Sequence, residues 1–150
     1  MRSFEILIKE FGQAINIPDL CFDQDGLCFM TIDDQWPLVL RRDEEGARLT
    51  LIGELADTLP DKPSHAWLLK AFSDALNPMT SHQPGLGFDK SGGKMIAYWH
   101  LAIDRLTVST LQEKIAYFIE WQKSWVLESK HCLDQKDNES SPIVHLHNRS

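Results

Sequence analysis

Hydrophobic residues occupy both parities of two adjoining segments near the start of the chain. In Leu27-Cys28-Phe29-Met30-Thr31-Ile32 and Trp36-Pro37-Leu38-Val39-Leu40 the polar alternation of a half-solvated antiparallel strand is missing. The chain's own helices can cover one face of such strands. The other face calls for a partner, because soluble monomers seldom leave a large contiguous apolar patch in water.

Around these segments the pattern predicts a run of alternating helices and strands. Phe4, Leu7, Ile8, Phe11 and Ile15 recur at helical spacing over residues 2–15, with Ser3 as cap and Asn16 and Pro18 as the stop. Three strands follow, over 20–22, 27–32 and 36–41, separated by the turn formers Asp25-Gly26 and Asp33-Asp34. A fourth covers 48–55, where Leu49, Leu51, Gly53 and Leu55 alternate with Arg48, Thr50, Ile52 and Glu54. Leu59-Pro60-Asp61-Lys62-Pro63 is a stiff connector to a helix capped by Ser64, with Leu68, Ala71, Phe72, Ala75 and Leu76 on one stripe and Asn77-Pro78 as its end. A hairpin of 86–89 and 94–103 turns at Lys90-Ser91-Gly92-Gly93. The last helix, with Thr110 and Glu113 at capping-box spacing, carries Leu111, Ile115, Phe118, Ile119 and Val126 and reaches about Glu128. Tyr117, Trp121 and Trp125 widen its apolar face beyond one contact, which suits a core helix or a second contact surface. The order α-β-β-β-β-α-β-β-α, with helices segregated from hairpin-linked strands, gives an α+β domain over residues 1–128. A polar, flexible tail over 129–150 completes the chain.

Charge narrows the partner. At 150 residues the chain can bury a core of its own, and its formal charge of −7 and pI near 5.3 argue against nucleic acid or an anionic membrane surface. No stretch approaches the roughly 20 apolar residues of a membrane span, and Met1-Arg2-Ser3-Phe4-Glu5 lacks an apolar signal core, so the reading is cytoplasmic. Cys21, Cys28 and Cys132 fit neither a zinc spacing nor a disulfide framework; small reduced side chains are expected, with a Cys21–Cys28 redox pair as the sharper alternative.

Motifs for catalysis are weak. Gly87-Phe88-Asp89-Lys90-Ser91-Gly92-Gly93-Lys94 places Gly93 and Lys94 where a phosphate loop needs Lys followed by Ser or Thr, so it reads as a β-turn. There is no G-x-S-x-G elbow and no H-E-x-x-H. His100 lies within a strand without an identifiable nucleophile, and His145 and His147 in the tail make at most an adventitious metal site. Asp33-Asp34 and Asp43-Glu44-Glu45 fall at turns, where solvated charge is ordinary. The expectation is no enzyme and no cofactor.

These elements together resemble the class I chaperones of bacterial type III secretion systems, of the Tir-chaperone type. The resemblance spans roughly residues 4–128 and rests on the first helix ending at Asn16-Ile17-Pro18, the run from Leu20-Cys21-Phe22 to Leu27-Cys28-Phe29, and Gly53-Glu54-Leu55 through Leu59-Pro60. The helix over 64–76, Gly85-Leu86-Gly87-Phe88 and Leu101-Ala102-Ile103-Asp104 also carry it. It implies a homodimer that holds the N-terminal chaperone-binding segment of a secreted effector extended, soluble and secretion-competent, without hydrolysing nucleotide. It leaves docking on the secretion ATPase open, and implies neither nucleic-acid binding nor membrane insertion. An effector segment can add to a sheet edge while alternate side chains enter pockets on the uncovered face, over an interface near the standard size of about 1,600 Å². Effector contacts are assigned to Leu7, Ile8 and Phe11 of the first helix and to Cys28, Met30, Ile32, Trp36, Leu38 and Leu40. A one-residue error in parity would put Phe29 and Val39 outward instead. The resemblance implies that the middle helix helps join two subunits, which makes Trp67, Leu68, Ala71 and Phe72 candidates for the dimer interface; core packing within one subunit accounts for them as well. The alternatives are a dimeric adaptor that docks folded proteins and a small enzyme using His100.

Overall fold

The computed structural model describes residues 3–55 and 59–134. The expected helix start at Arg2, and the tail from Gln135 onward with His145 and His147, lie outside the described residues. Helix α1 (Phe4–Ala14) is capped by Ser3, whose hydroxyl accepts from the Ile6 amide at 3.2 Å. Strands β1 (Leu27–Ile32), β2 (Trp36–Asp43) and β3 (Arg48–Glu54) form an antiparallel meander. Helix α2 (His65–Ala75) and the short α3 (Asn77–Thr80) precede the hairpin β4 (Gly85–Asp89) and β5 (Lys94–Ala102). A single 3-10 turn (Ile103–Arg105) leads into α4 (Val108–Asp134). The sheet order is β1-β2-β3-β5-β4, antiparallel throughout, so the chain crosses from β3 to the far edge and returns.

The α+β class and the order of elements are those expected, with local differences. Residues 20–22 run extended against α1 instead of joining the ladder, because Asn16 and Asp19 adopt positive φ and fold the chain back over the helix. Pro78 does not simply end α2. It stands in the first turn of α3, where its missing N–H is harmless. The cap of α4 is Thr107, whose hydroxyl accepts from the Thr110 amide at 3.1 Å while the Thr110 hydroxyl accepts from the Thr107 amide at 2.8 Å. That helix also outruns its expected end. Ser129 is buried and the Cys132 carbonyl accepts from Ser64 Oγ at 2.8 Å, so residues 129–134 belong to the domain and not to a tail.

The core lies between one sheet face and the helices α1 and α4. Phe4, Leu7, Ile8 and Phe11 of α1 and Leu111, Ile115, Phe118, Ile119 and Trp125 of α4 are buried on it. Helix α2 joins this layer through the edge-on pair Trp67–Trp125, centroids 6.0 Å apart, and through Lys70, which binds Asp74 at 3.1 Å and Glu128 at 2.9 Å. Gly53 sets how closely α4 approaches the sheet. A Cβ at this position would come within 2.7 Å of Gln122 Cδ and Nε2. Gln122 is itself buried, and its Oε1 has no hydrogen-bond partner among the described residues.

Cys28 is buried on β1, whereas Cys21 is exposed. Burial pushes the Cys28 thiol up to about 11, with Cys21 and Asp23 adding to the effect, so its thiolate is scarce at neutral pH.

Two outcomes follow from this packing. Gly53→Ala should cost about 1–3 kcal/mol in urea unfolding, and Gln122→Ala in the same chain should make the Gly53→Ala step nearly neutral. Equal costs in both backgrounds would contradict the close approach. Iodoacetamide should label Cys21 in the native protein and Cys28 only after unfolding, as read by peptide mass spectrometry; comparable native rates would contradict the burial.

Candidate binding surface

Strand register sorts the sheet residues into rows across its two faces. Met30, Leu38, Gly53, Ala97 and Leu86 form one row, and Cys28, Leu40, Leu51 and Trp99 the next; both face the helices and are buried apart from the room Gly53 leaves. On the opposite face Phe29, Val39, Ile52 and Tyr98 pair in sequence across four strands. Beside them runs Leu27, Arg41, Thr50 and His100. No helix among the described residues covers the centre of this second face. Phe29 is 64% exposed, and Val39, Ile52 and Tyr98 are half-buried against their neighbours.

This assignment reverses the expected parity. Leu7, Ile8, Phe11, Cys28, Met30, Leu38 and Leu40 are buried in the core. Ile32 and Trp36 pack against that core half-exposed, with Lys123 of α4 over the Trp36 ring at 5.6 Å. The outward set is the one carrying Phe29 and Val39. Thr31 and Arg41, two residues along from them, are the polar positions that mark that parity as solvent-facing.

Among the described residues strand β1 is an edge of the sheet with β2 as its one strand partner, and its outer side is held at Leu27 by Asp23, whose amide donates to the Leu27 carbonyl at 2.8 Å. Near it lies a cleft of about 540 Å³, lined by Ile8, Pro18, Leu20, Cys21 and Phe22, with Glu5, Lys9, Asp19 and Arg42 at its polar margin. The turned-back chain builds this cleft. Leu20 sits against Gly12 of α1, where a Cβ would come within 2.8 Å of Leu20 Cβ, and Phe22 packs edge-on to Phe4 at 6.4 Å. Asp23 Oδ1 then accepts from the amides of Asp25 and Leu27, each at 2.9 Å, turning the chain into β1. Arg42 binds Glu5 and stands over the Phe22 ring at 5.3 Å. Of the helix-one residues expected at the site, Ile8 lines this cleft.

A second apolar surface lies on α2 and α3. Leu69, Phe72, Leu76 and Met79 recur at three- and four-residue spacing and are exposed, Phe72 by 68% and Met79 by 74%. Of the residues expected at a dimer interface, Phe72 belongs to this stripe and Leu68 is half-buried. Trp67 and Ala71 point into the core, because the stripe that packs on α4 is rotated from the one that faces out.

His100 stands on the open sheet face. Its Nδ1 lies 2.8 Å from Thr50 Oγ1 and its ring meets Tyr98 edge-on at 5.4 Å. Burial of the ring against these neighbours, then Arg48, lowers its pKa below the ordinary histidine value, with Asp43 opposing and Arg41 adding to the shift. Among the described residues no three His, Cys, Asp or Glu side chains group to hold a metal ion, and no helix is long and apolar enough to cross a membrane.

Comparison with known proteins extends this geometry. The model of the Tir chaperone protein (CesT) family matches residues 6–126. A chain of the HopA1–SchA chaperone–effector complex is 34% identical over 79% of this chain and 89% of its own, with a TM-score of 0.69. A chain of the ExsC–ExsE complex is 22% identical over 79% of this chain and 87% of its own, TM-score 0.65. A chain from the Yersinia pestis type III secretion chaperone SycH in complex with a fragment of YscM2 is 16% identical over 82% of this chain and 99% of its own, TM-score 0.66. At those identities the last two show the shared fold alone. No curated protein matches the chain. With a family match running from α1 into α4, over the same sheet and helix layer described above, the chain belongs to the Tir chaperone protein (CesT) family.

Proposed function

We propose that this protein is a type III secretion chaperone that acts in the bacterial cytoplasm as a homodimer. It holds the N-terminal chaperone-binding segment of a secreted effector in an extended, non-globular form. The observation that carries this reading is the uncovered apolar row Phe29–Val39–Ile52–Tyr98, which begins at the free edge of β1. An extended segment laid along β1 beyond Leu27, whose amide and carbonyl Asp23 already holds, pairs with that strand's remaining outer backbone groups, and its alternate side chains meet Phe29 on one face and enter the Leu20–Phe22 cleft on the other. Backbone pairing makes the binding general and the cleft makes it selective. The 34% identical relative comes from a chaperone–effector complex, which supports the same class of partner here.

The dimer contact falls on Leu69, Phe72, Leu76 and Met79. Four large apolar side chains in one stripe are more than a monomer gains by exposing, and a two-fold contact between such stripes is self-complementary. An adaptor for folded proteins would leave β1 unused, and an enzyme built on His100 would need a closed polar pocket where the ring instead stands on an open face.

Co-expression with its effector should yield a soluble complex that Phe29→Glu disrupts while the free protein keeps its thermal midpoint. Leu38→Asp should unfold the domain, at a cost of at least about 4 kcal/mol. A Phe29→Glu complex of undiminished yield would contradict the edge-strand reading. Light scattering should find a dimer that Phe72→Glu with Leu76→Asp converts to a folded monomer; a double variant that stays dimeric would place the interface elsewhere.

A further inference from the structure

The last turns of α4 border a cleft that neither the effector contact nor the dimer contact uses. It has a volume of about 440 Å³ and lies between that helix and the connector ahead of α2. Trp67 and Trp125, both buried and edge-on at 6.0 Å, form its floor. Val126 and Leu133 stand on the α4 side, with Leu59 and Pro60 opposite. Hydrogen bonds fix this frame: Trp125 Nε1 donates to Asp74 at 2.9 Å, and Ser64 Oγ donates to the Cys132 carbonyl at 2.8 Å. The apolar walls are nevertheless open among the described residues, with Leu59 42% exposed and Val126 and Leu133 half-buried.

The chain itself supplies an occupant of matching length and pattern. Its described part ends at Asp134, the neighbour of the wall residue Leu133. The seven residues from Gln135 to Ser141 are all polar, and then the composition changes: Pro142, Val144 and Leu146 alternate with Ile143, His145 and His147. In an extended segment the first three share one side, and all are apolar. Pro142 to Leu146 spans four steps of about 3.3 Å, or about 13 Å. Val126 to Leu133 is seven helical steps of about 1.5 Å, or about 10.5 Å. Seven spacer residues reach up to about 23 Å, enough to double back along those two turns. A contact made within one chain across so short a spacer works against an effective concentration in the millimolar range, so three apolar side chains suffice where a separate peptide of the same sequence would bind poorly.

We propose that this cleft is the docking site of the chain's own residues 142–146, held extended along α4 with Pro142, Val144 and Leu146 against Val126, Leu133 and Leu59. The segment is then a strap that ties the end of α4 to the connector. Through Trp67 it also steadies α2, the helix that carries the exposed stripe. His145 and His147 fall on its outward side.

The test is NMR on the full-length protein with Ile, Leu and Val methyl groups labelled, compared with a Val144→Asn, Leu146→Asn variant whose changes lie outside the folded core. The Val144 and Leu146 methyls should give cross-relaxation to Val126, Leu133 or the Trp125 ring. In the variant the Val126 and Leu133 methyl signals should move while those of Leu7 and Leu51 stay in place, and the amides of residues 126–134 should exchange about fivefold or more faster. Identical Val126 and Leu133 signals in the two proteins, with no such cross-relaxation, would overturn the proposal. Cross-relaxation seen only between differently labelled chains in a mixed sample would overturn the own-chain assignment in favour of a second copy's strap. Contacts of Val144 or Leu146 with Phe22 or Phe29 would overturn it too, placing the segment at the β1 edge.

Discussion

A five-stranded sheet with apolar rows on both faces, and a helical layer large enough for only one of them, is the constraint from which the rest of the molecule follows. Helices α1 and α4 close over the rows Met30–Leu38–Gly53–Ala97–Leu86 and Cys28–Leu40–Leu51–Trp99, and Gly53 lets Gln122 lie directly on the sheet. That packing fixes the parity of every strand. It therefore fixes which side chains are left over: Phe29, Val39, Ile52 and Tyr98. Each Å² of apolar surface kept in water forgoes about 25 cal/mol, and the same amount returns when a partner covers it. The exposed row is in that sense the source of binding free energy as well as a cost to the free protein.

The two ends of the sheet are finished differently. At the β4 end, Pro78 of α3 lies against Gly85, where a Cβ would come within 2.7 Å of its Cγ, and the α2–α3 stripe stands outward beside it. At the β1 end no further strand among the described residues pairs with the edge, where Asp23 holds Leu27, and the turned-back segment over 17–22 opens a cleft next to it. This asymmetry separates the proposed roles: self-association through the helices at one end, capture of an extended segment at the other.

Much of the architecture was legible in the sequence because local rules and the global fold agree. Ser3 and Ser64 cap the helices they precede, Asp25-Gly26 and Asp33-Asp34 turn, and the helical stripes on α1 and α4 are the buried ones. The double-sided hydrophobicity of β1 and β2 pointed correctly to a face without helices. What periodicity could not decide was which face, since an apolar run has no inherent parity; the signal lay in Thr31 and Arg41, whose polarity outweighs the size of Cys28 and Met30. The cleft was illegible for a different reason. It depends on positive φ at Asn16 and Asp19 and on the absence of a side chain at Gly12, none of which a hydropathy pattern registers. The exposed stripe Leu69–Phe72–Leu76–Met79 was partly hidden by Trp67 and Ala71, which share its helix but face the other way.

Hydrogen–deuterium exchange of the free protein against its complex with the co-purified effector addresses the central claim most directly. The account predicts that the amides of β1 exchange quickly when free and become strongly protected in the complex, while those of β3 and β5 at the sheet centre are slow in both. Unchanged exchange along β1 in a complex shown to contain the effector would contradict it.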